Sequence, residues 1–257
     1  MKDSRRSTGS GSSSAPTPRK IGASIGDRVA AFDWPRIERD LDAQGYAATG
    51  TVLRAAECAE LIALYADRDR FRSRVVMERH RYGVGEYKYF ARPMPAIVEE
   101  LRTAMYRELA ATANRWAERF RSRDLYPPSL AEFLEVCAAH GQTKPTPLIL
   151  RYERGGYNCL HQDLYGEIAF PLQFTCALSR RGRDFDGGEL LLVEQRPRAQ
   201  SRGEAIALDA GEGIIFANRY HPAVGARGYH RLNMRHGVST IKSGVRYALG
   251  VIFHDAA

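Results

Sequence analysis

His161 and Asp163 are separated by a single residue, Gln162, and follow a Tyr- and Gly-rich segment. Alternate side chains of an extended chain point to the same side, so the imidazole and the carboxylate can face one cation together. An imidazole nitrogen and a carboxylate oxygen are both ligands that a divalent metal accepts. The same pair also fits an ordinary surface contact between a histidine and an aspartate. The metal-site interpretation therefore depends on a third ligand elsewhere in the chain.

Two downstream histidines, His221 and His236, each precede an arginine by ten positions. The segment from His236 to Arg246 has the pattern of a strand, a Lys-Ser-Gly turn and a second strand, which predicts a hairpin with the two residues near its ends. Pro222 and a glycine-containing loop follow His221, so its geometry is harder to assign. We therefore predict His236 as the third ligand, with His221 as the alternative.

Two histidines and one carboxylate form the facial arrangement that holds Fe(II) and leaves coordination positions open for a cosubstrate and dioxygen. A dicarboxylate cosubstrate that chelates the metal at one end needs a cation for its other end. The guanidinium of Arg246 can bind a carboxylate through two hydrogen bonds, which makes it the candidate for that role.

The elements that must position these residues change in type along the chain. After Pro147, short apolar or β-branched runs alternate with turn residues and no helical pattern intervenes. The predicted strands are 148–152, 168–178, 189–193, 205–208, 213–216, 237–241 and 245–253. Seven short strands without helices between them predict an antiparallel sandwich or jelly roll.

The region before Pro147 has helical patterns. Asp33-Trp34-Pro35 followed by apolar residues and Gly45 predicts a capped helix with a glycine stop, and residues 57–65 predict a second helix. A strand is predicted between them at 46–53. Apolar residues at helical spacing predict a long helix from Pro95 to Phe120.

The 257 residues are enough for one large domain with a hydrophobic core. The formal charge is +8, and residues 1–28, with six basic and two acidic residues, account for +4 of it. We predict a disordered basic tail at 1–25 and one domain at 26–257, helical over 26–145 with a jelly-roll core over 146–257. No segment is typical of a membrane span or a signal peptide, so we expect a cytoplasmic protein.

Four motifs carry a family resemblance: Tyr152 to Asp163, Phe185-Asp-Gly-Gly-Glu-Leu190, Gly211-Glu-Gly-Ile-Ile-Phe216, and His236 with Gly244 and Arg246. In this order they resemble the iron(II)- and 2-oxoglutarate-dependent dioxygenases of the prolyl-4-hydroxylase type. The resemblance implies an α+β fold with a double-stranded β-helix of the cupin-like kind in the C-terminal half. It also implies that His161, Asp163 and His236 bind Fe(II), that Arg246 binds the distal carboxylate of 2-oxoglutarate, and that Tyr152 reaches this cosubstrate.

The C-terminal half, especially Gly228 to Ser239 and Leu249 to Asp255, resembles a bacterial family of 2-oxoglutarate and Fe(II) oxygenases described as oxidatively repairing alkylated DNA. That resemblance implies an alkylated nucleic acid as substrate, with aromatic residues such as Tyr82 and Tyr87 available for stacking. Two alternatives stay open: a hydroxylase of a protein side chain, amino acid or metabolite, and a non-catalytic jelly roll.

Overall fold

The computed structural model describes residues 23–196, 198–226 and 228–257. Residues 1–22 of the predicted basic tail lie outside the described residues. The α-helices of the described part are α1 Ile25–Ala30, α2 Trp34–Gln44, α3 Ala55–Leu64, α4 Ala96–Arg119 and α5 Leu130–Ala139. None of them combines the length and the apolar character that crossing a membrane requires.

Helix α2 begins and ends where the sequence predicts. The side chain of Asp33 accepts a hydrogen bond from the backbone N–H of Arg36, and Pro35 lies in the first turn. Gly45 ends the helix with φ of 77°, a conformation that favours glycine. A Cβ atom at this position would lie 2.7 Å from the ring of His221. Glycine is therefore needed here for both its conformation and its size.

Fourteen strands are present in the described residues. The first eight are β1 Tyr46–Thr51, β2 Phe71–Val76, β3 Gly83–Val84, β4 Glu86–Phe90, β5 Leu148–Glu153, β6 Tyr157–His161, β7 Leu172–Ala177 and β8 Phe185–Gly187. The other six are β9 Leu190–Gln195, β10 Arg202–Ile206, β11 Glu212–Ala217, β12 Tyr220–Gly225, β13 Gly228–Val238 and β14 Ile241–Val251. Four of them precede residue 145. Strand β1 matches the strand predicted at 46–53, but β2, β3 and β4 were not predicted, so the description of 26–145 as helical needs correction.

The strands form two antiparallel sheets. The larger sheet has the order β1-β11-β7-β14-β5-β4-β2, with β8 beside β14. The smaller sheet has the order β10-β9-β13-β6-β3, with β12 beside β13. The α+β jelly-roll prediction is confirmed. Strands β2 and β4 extend the large sheet by two strands, because β4 pairs with β5 and β2 pairs with β4. The pairing of β4 with β5 is a long-range contact that no local sequence pattern predicts.

The predicted hairpin between His236 and Arg246 is wrong. Strands β13 and β14 belong to different sheets, and Lys242-Ser243-Gly244 continues β14 instead of forming a turn, because β8 supplies a pairing partner. Gly244 has φ of 75°, and a Cβ atom there would lie 2.0 Å from the carbonyl oxygen of Asp184. His236 and Arg246 are therefore carried on facing sheets.

Helix α4 supports the large sheet and also holds the C-terminus. Its apolar face is buried, with Leu101, Met105 and Trp116 fully so. Arg102, likewise fully buried, donates hydrogen bonds to the carbonyl oxygens of Ile252 and Phe253 and to the Asp255 carboxylate at 2.8 Å. The chain after β14 is thus tied to α4 by a buried ion pair.

Asp255→Ala is expected to lower the free energy of unfolding by about 3–5 kcal/mol, because it leaves the Arg102 charge buried without its carboxylate. Asp40→Ala is the matched control, since Asp40 pairs with Arg36 at 2.9 Å on the surface and should contribute less than about 1 kcal/mol. Urea unfolding of both variants measures the difference. Equal losses would mean that the buried pair stabilises no more than a surface pair.

Candidate active site

A cavity of about 470 Å³ lies between the two sheets, within the range of about 300–1,000 Å³ typical of small-molecule sites. We call it the metal cavity. The large sheet lines it with residues of β5, β7 and β14, including Arg246, and the small sheet with residues of β6 and β13, including His236. His161 and Asp163 lie on the wall formed by the end of β6 and the segment that follows it.

His161, Asp163 and His236 converge in this cavity. Strand pairing places His161 of β6 directly opposite His236 of β13, with ring centroids 4.1 Å apart. Asp163 Oδ1 lies 3.5 Å from His161 Nε2, and Asp163 Oδ2 lies 3.2 Å from His236 Nε2. One candidate ligand atom from each residue lies within 4.8 Å of the other two. Two nitrogens and one oxygen can therefore face a single ion.

The ionisation of Asp163 and His236 suits metal binding. Burial opposes the charge on Asp163, but hydrogen bonds with His161 and His236 hold the pKa of its carboxyl well below the usual value. Burial and the neighbouring His161 lower the pKa of His236. Burial also disfavours the charge on His161, yet Asp163 outweighs it and raises the pKa of that imidazole. An anionic carboxylate and a neutral imidazole are the forms that metals bind.

Neighbouring groups fix the orientation of the His161 and Asp163 side chains. The Nδ1 atom of His161 lies 2.8 Å from the carbonyl oxygen of Cys159, which leaves Nε2 toward the cavity. The hydroxyl of Tyr165 donates to Asp163 Oδ1 at 2.6 Å. The side chain of Asn218 bonds both the N–H and the carbonyl oxygen of Asp163. Such contacts around a metal ligand set its direction and its basicity.

Tyr165→Phe is expected to weaken divalent metal binding by about 10- to 100-fold, because the Asp163 carboxylate loses the hydrogen bond that orients it. Tyr157→Phe is the matched control, since this tyrosine is exposed near the same cavity. Anaerobic titration with Fe(II) or Mn(II) gives both dissociation constants. Equal affinities for the two variants would show that Tyr165 does not position the ligand.

Unpartnered buried atoms remain around the three residues. His236 Nδ1 and Gln173 Oε1 have no hydrogen-bond partner among the described residues, although Gln173 Nε2 lies 3.1 Å from His236 Nε2. Buried polar atoms are normally satisfied, so Gln173 Oε1 lacks a partner at this site. The His236 nitrogen that faces Asp163 is Nε2. The two-histidine, one-carboxylate donor set is also one that Fe(II) accepts. The residues present therefore fit a bound metal ion.

Arg246 is buried in the same cavity without an anionic partner. It is 4% exposed, and across the described residues its guanidinium makes neither an ion pair nor a hydrogen bond. The rings of Tyr152 and Phe185 lie 5.8 and 6.0 Å away. The nearby carboxylate of Glu189 is already bound by Arg181 at 2.7 Å. Burial lowers the pKa of Arg246, yet a guanidinium stays protonated and leaves its donors for a ligand.

The remaining predicted site residues have distinct positions. Tyr152 pairs with Arg246 across β5 and β14, and its buried hydroxyl has no partner among the described residues. It flanks Arg246 but is not part of the cavity wall. His221 is absent from the metal-ligand cluster, because its Nε2 contacts Glu194 at 2.9 Å and its ring packs 6.5 Å from that of Trp116.

Sequence reasoning missed Gln173, Tyr165 and Asn218. Tyr165 follows Asp163 by two positions, so alternation along an extended chain would have placed it on the same side. Gln173 and Asn218 reach the site through side-chain hydrogen bonds to residues 63 and 55 positions away, which no local spacing indicates.

The comparisons with known proteins bear directly on this cavity. A family model described as "Oxygenase, catalysing oxidative methylation of damaged DNA" matches residues 85–256, which include both histidines, Asp163, Tyr152 and Arg246. The chain belongs to this oxygenase family. The prediction of an oxygenase related to a family that acts on damaged DNA is confirmed.

Relatives of this oxygenase include uncharacterized proteins from two strains of Mycobacterium tuberculosis. Each is 46% identical over 191 residues, which cover 72% of this chain and 82% of the relative.

Two solved structures show the shared fold of the oxygenase. A prolyl 4-hydroxylase from Phytophthora capsici aligns with a TM-score of 0.54 at 16% identity, covering 94% of this chain and 69% of its own. The epimerase SnoN of nogalamycin biosynthesis, in complex with Fe3+, alpha ketoglutarate and nogalamycin RO, aligns with a TM-score of 0.52 at 16% identity, covering 87% and 84%. At this identity the likeness concerns the fold alone.

Proposed function

We propose that this oxygenase removes alkyl groups from damaged nucleic acid by oxidation. His161, Asp163 and His236 hold Fe(II), Arg246 holds the distal carboxylate of 2-oxoglutarate, and dioxygen is the second cosubstrate. The hydroxyl of Tyr152, beside Arg246, is the further group that this proposal assigns to 2-oxoglutarate.

The observation that carries the proposal is a buried, unpaired guanidinium in the same cavity as three converging metal ligands. A buried charge without a partner is costly, so Arg246 needs an anion at that position. A carboxylate is planar and accepts two parallel hydrogen bonds from a guanidinium. A dicarboxylate that meets both the metal and Arg246 satisfies the two groups at once.

When bound with 2-oxoglutarate and dioxygen, Fe(II) supplies oxidation of an N-methyl C–H bond to a hydroxymethyl group, which leaves as formaldehyde, while 2-oxoglutarate becomes succinate and carbon dioxide. The chain itself binds and orients. Arg246 fixes one end of the cosubstrate, Tyr165 and Asn218 keep Asp163 in place, and the two sheets exclude water from the reacting atoms.

The mouth of the metal cavity favours a planar, anionic substrate. Tyr82 and Leu160 are 49% and 40% exposed there, and Tyr82 stacks on His80 with centroids 5.3 Å apart. Arg81, also in the wall, has no acidic partner in the described part of the chain. Aromatic faces stack on bases and arginine contacts phosphates. These side chains suit an unpaired base that enters from a single strand.

Succinate and formaldehyde formation tests the proposal. The protein is loaded with Fe(II) anaerobically, then given oxygen and 2-oxoglutarate with a single-stranded oligonucleotide that carries 1-methyladenine or 3-methylcytosine. The unmethylated oligonucleotide is the matched control. We expect the methylated strand to stimulate succinate formation and to release formaldehyde in equal amount.

If the methylated strand does not stimulate succinate formation, the substrate assignment is contradicted, and a protein side chain or a metabolite is favoured as the substrate. Absence of metal-dependent succinate under all conditions would contradict the site assignment itself.

A further inference from the structure

A second cavity, of about 430 Å³, adjoins the metal cavity. It lies between the C-terminal half of α4, helix α5, the segment 164–171 and the start of β12. Leu164 lines both cavities. Asn218, in the wall of the second cavity, bonds the backbone of the candidate metal ligand Asp163. A ligand in this second cavity would therefore lie beside the metal cavity.

Six aromatic side chains line the second cavity, which we call the aromatic cavity. They are Trp116, Phe120, Tyr126, Phe133, Phe170 and Tyr220. Trp116, Phe133 and Phe170 are buried in the hydrophobic core, whereas Phe120, Tyr126 and Tyr220 are partly exposed. None of the six lines the metal cavity. Flat apolar walls of this kind accept a planar ring.

Two arginines at the aromatic cavity are held by rings and not by carboxylates. The guanidinium of Arg231 lies 5.0 Å from the ring centroid of Phe120 and 5.9 Å from that of Tyr220. The guanidinium of Arg219 lies 4.7 Å from the Tyr220 ring. Neither forms an ion pair or donates a side-chain hydrogen bond within the described ranges. Stacking on a ring leaves the N–H groups of a guanidinium free for an anion.

Two carboxylates share the wall of the aromatic cavity. Asp124 and Glu167 are exposed, and Asp124 accepts a hydrogen bond from the hydroxyl of Ser122 at 2.6 Å. Neither contacts the two arginines within 4.0 Å. Carboxylates can accept hydrogen bonds from the exocyclic amino groups of bases. The aromatic rings can stack on a planar base, and the two carboxylates can accept hydrogen bonds from its amino groups. The two guanidiniums can bind an attached phosphate.

We infer that the aromatic cavity binds the nucleotide next to the target nucleotide on the same strand. Its base lies between the aromatic walls, and its phosphate contacts Arg219 and Arg231. This inference rests on the proposed function and specifies the substrate as a strand of at least two nucleotides. The target base enters the metal cavity, while the neighbouring nucleotide lies in the aromatic cavity on the other side of Leu164.

Arg219→Gln and Arg231→Gln test the inference through binding of a fluorescent single-stranded oligonucleotide, measured by anisotropy over a range of salt concentrations. Both side chains are exposed, so the variants should fold. Each is expected to weaken binding by about five- to tenfold and to lower the slope of log affinity against log salt by about 0.7, the value for one lost phosphate contact. Arg235→Gln is the matched control, since Arg235 is exposed on the same strand β13 and lines neither cavity.

A length series sharpens the test. In the wild type, a methylated dinucleotide should bind more tightly than the methylated mononucleotide, and Tyr220→Ala or Arg231→Gln should remove that gain. Unchanged affinity and salt slope in both arginine variants, an equal loss in Arg235→Gln, or no oligonucleotide binding by the wild type would each overturn the inference. A failure of the proposed function alone would give a different result. The wild type would then bind the strands with the expected salt dependence but would release no formaldehyde.

Discussion

His236→Gln is expected to abolish Fe(II) binding and to lower succinate formation by about 10³-fold, a loss of about 4 kcal/mol in transition-state stabilisation. The substitution removes one of the three proposed protein ligands, and the glutamine amide is a poor replacement for an imidazole. His221→Gln is the matched variant, because His221 is also a buried histidine in the small sheet but contacts Glu194. It should keep its metal and its turnover.

Metal content by anaerobic titration and succinate formation distinguish the two variants, and circular dichroism establishes that both are folded. Retention of metal by His236→Gln together with loss in His221→Gln would reverse the ligand assignment. A similar loss in both would point to a change in the sheet that carries them.

Arg246→Gln is expected to raise the KM for 2-oxoglutarate by about 10- to 100-fold with a smaller effect on kcat, because a charge-assisted hydrogen bond contributes about 1.5–3 kcal/mol. The KM of Arg246→Lys should lie between those of Arg246→Gln and the wild type, since lysine keeps the charge but cannot form two parallel hydrogen bonds with a carboxylate. Fe(II) affinity in the absence of 2-oxoglutarate should stay the same, because Arg246 contacts none of the three candidate ligands.

Arg154→Gln is the control for general loss of positive charge, since Arg154 is exposed and lies just after β5. Its KM should equal that of the wild type. An unchanged KM in Arg246→Gln would remove the cosubstrate role from this residue and leave its burial without an explanation.

Local signals explain what the sequence predicted well. The cap at Asp33 and the stop at Gly45 act within a few residues of the helix ends, and α2 follows them closely. Strand β6 was missed because Tyr157–His161 lacks an apolar alternation, with only Asn158 of its residues buried. Its place in the sheet comes from pairing with β3 and β13, contacts that the segment itself does not encode.

In the candidate site too, some residues could be predicted from local spacing and others depend on long-range strand pairing. His161 and Asp163 were found from their spacing, because two positions on an extended chain determine a shared direction. His236 was found only as the better of two histidines, since its approach to Asp163 depends on the register between β13 and β6. Strand β14 belongs to the large sheet because it pairs with β5 and β7, and for that reason the hairpin prediction failed although both of its strands exist.

The short connection between β13 and β14 constrains how this sequence can change in length. Only Ser239 and Thr240 separate the two strands, yet His236 and Arg246 reach one cavity from opposite sheets. Because side chains alternate along a strand, one inserted or deleted residue between Ile241 and Arg246 would turn the guanidinium away from the cavity. Insertions and deletions in this stretch would therefore separate the candidate metal ligand from the proposed cosubstrate anchor.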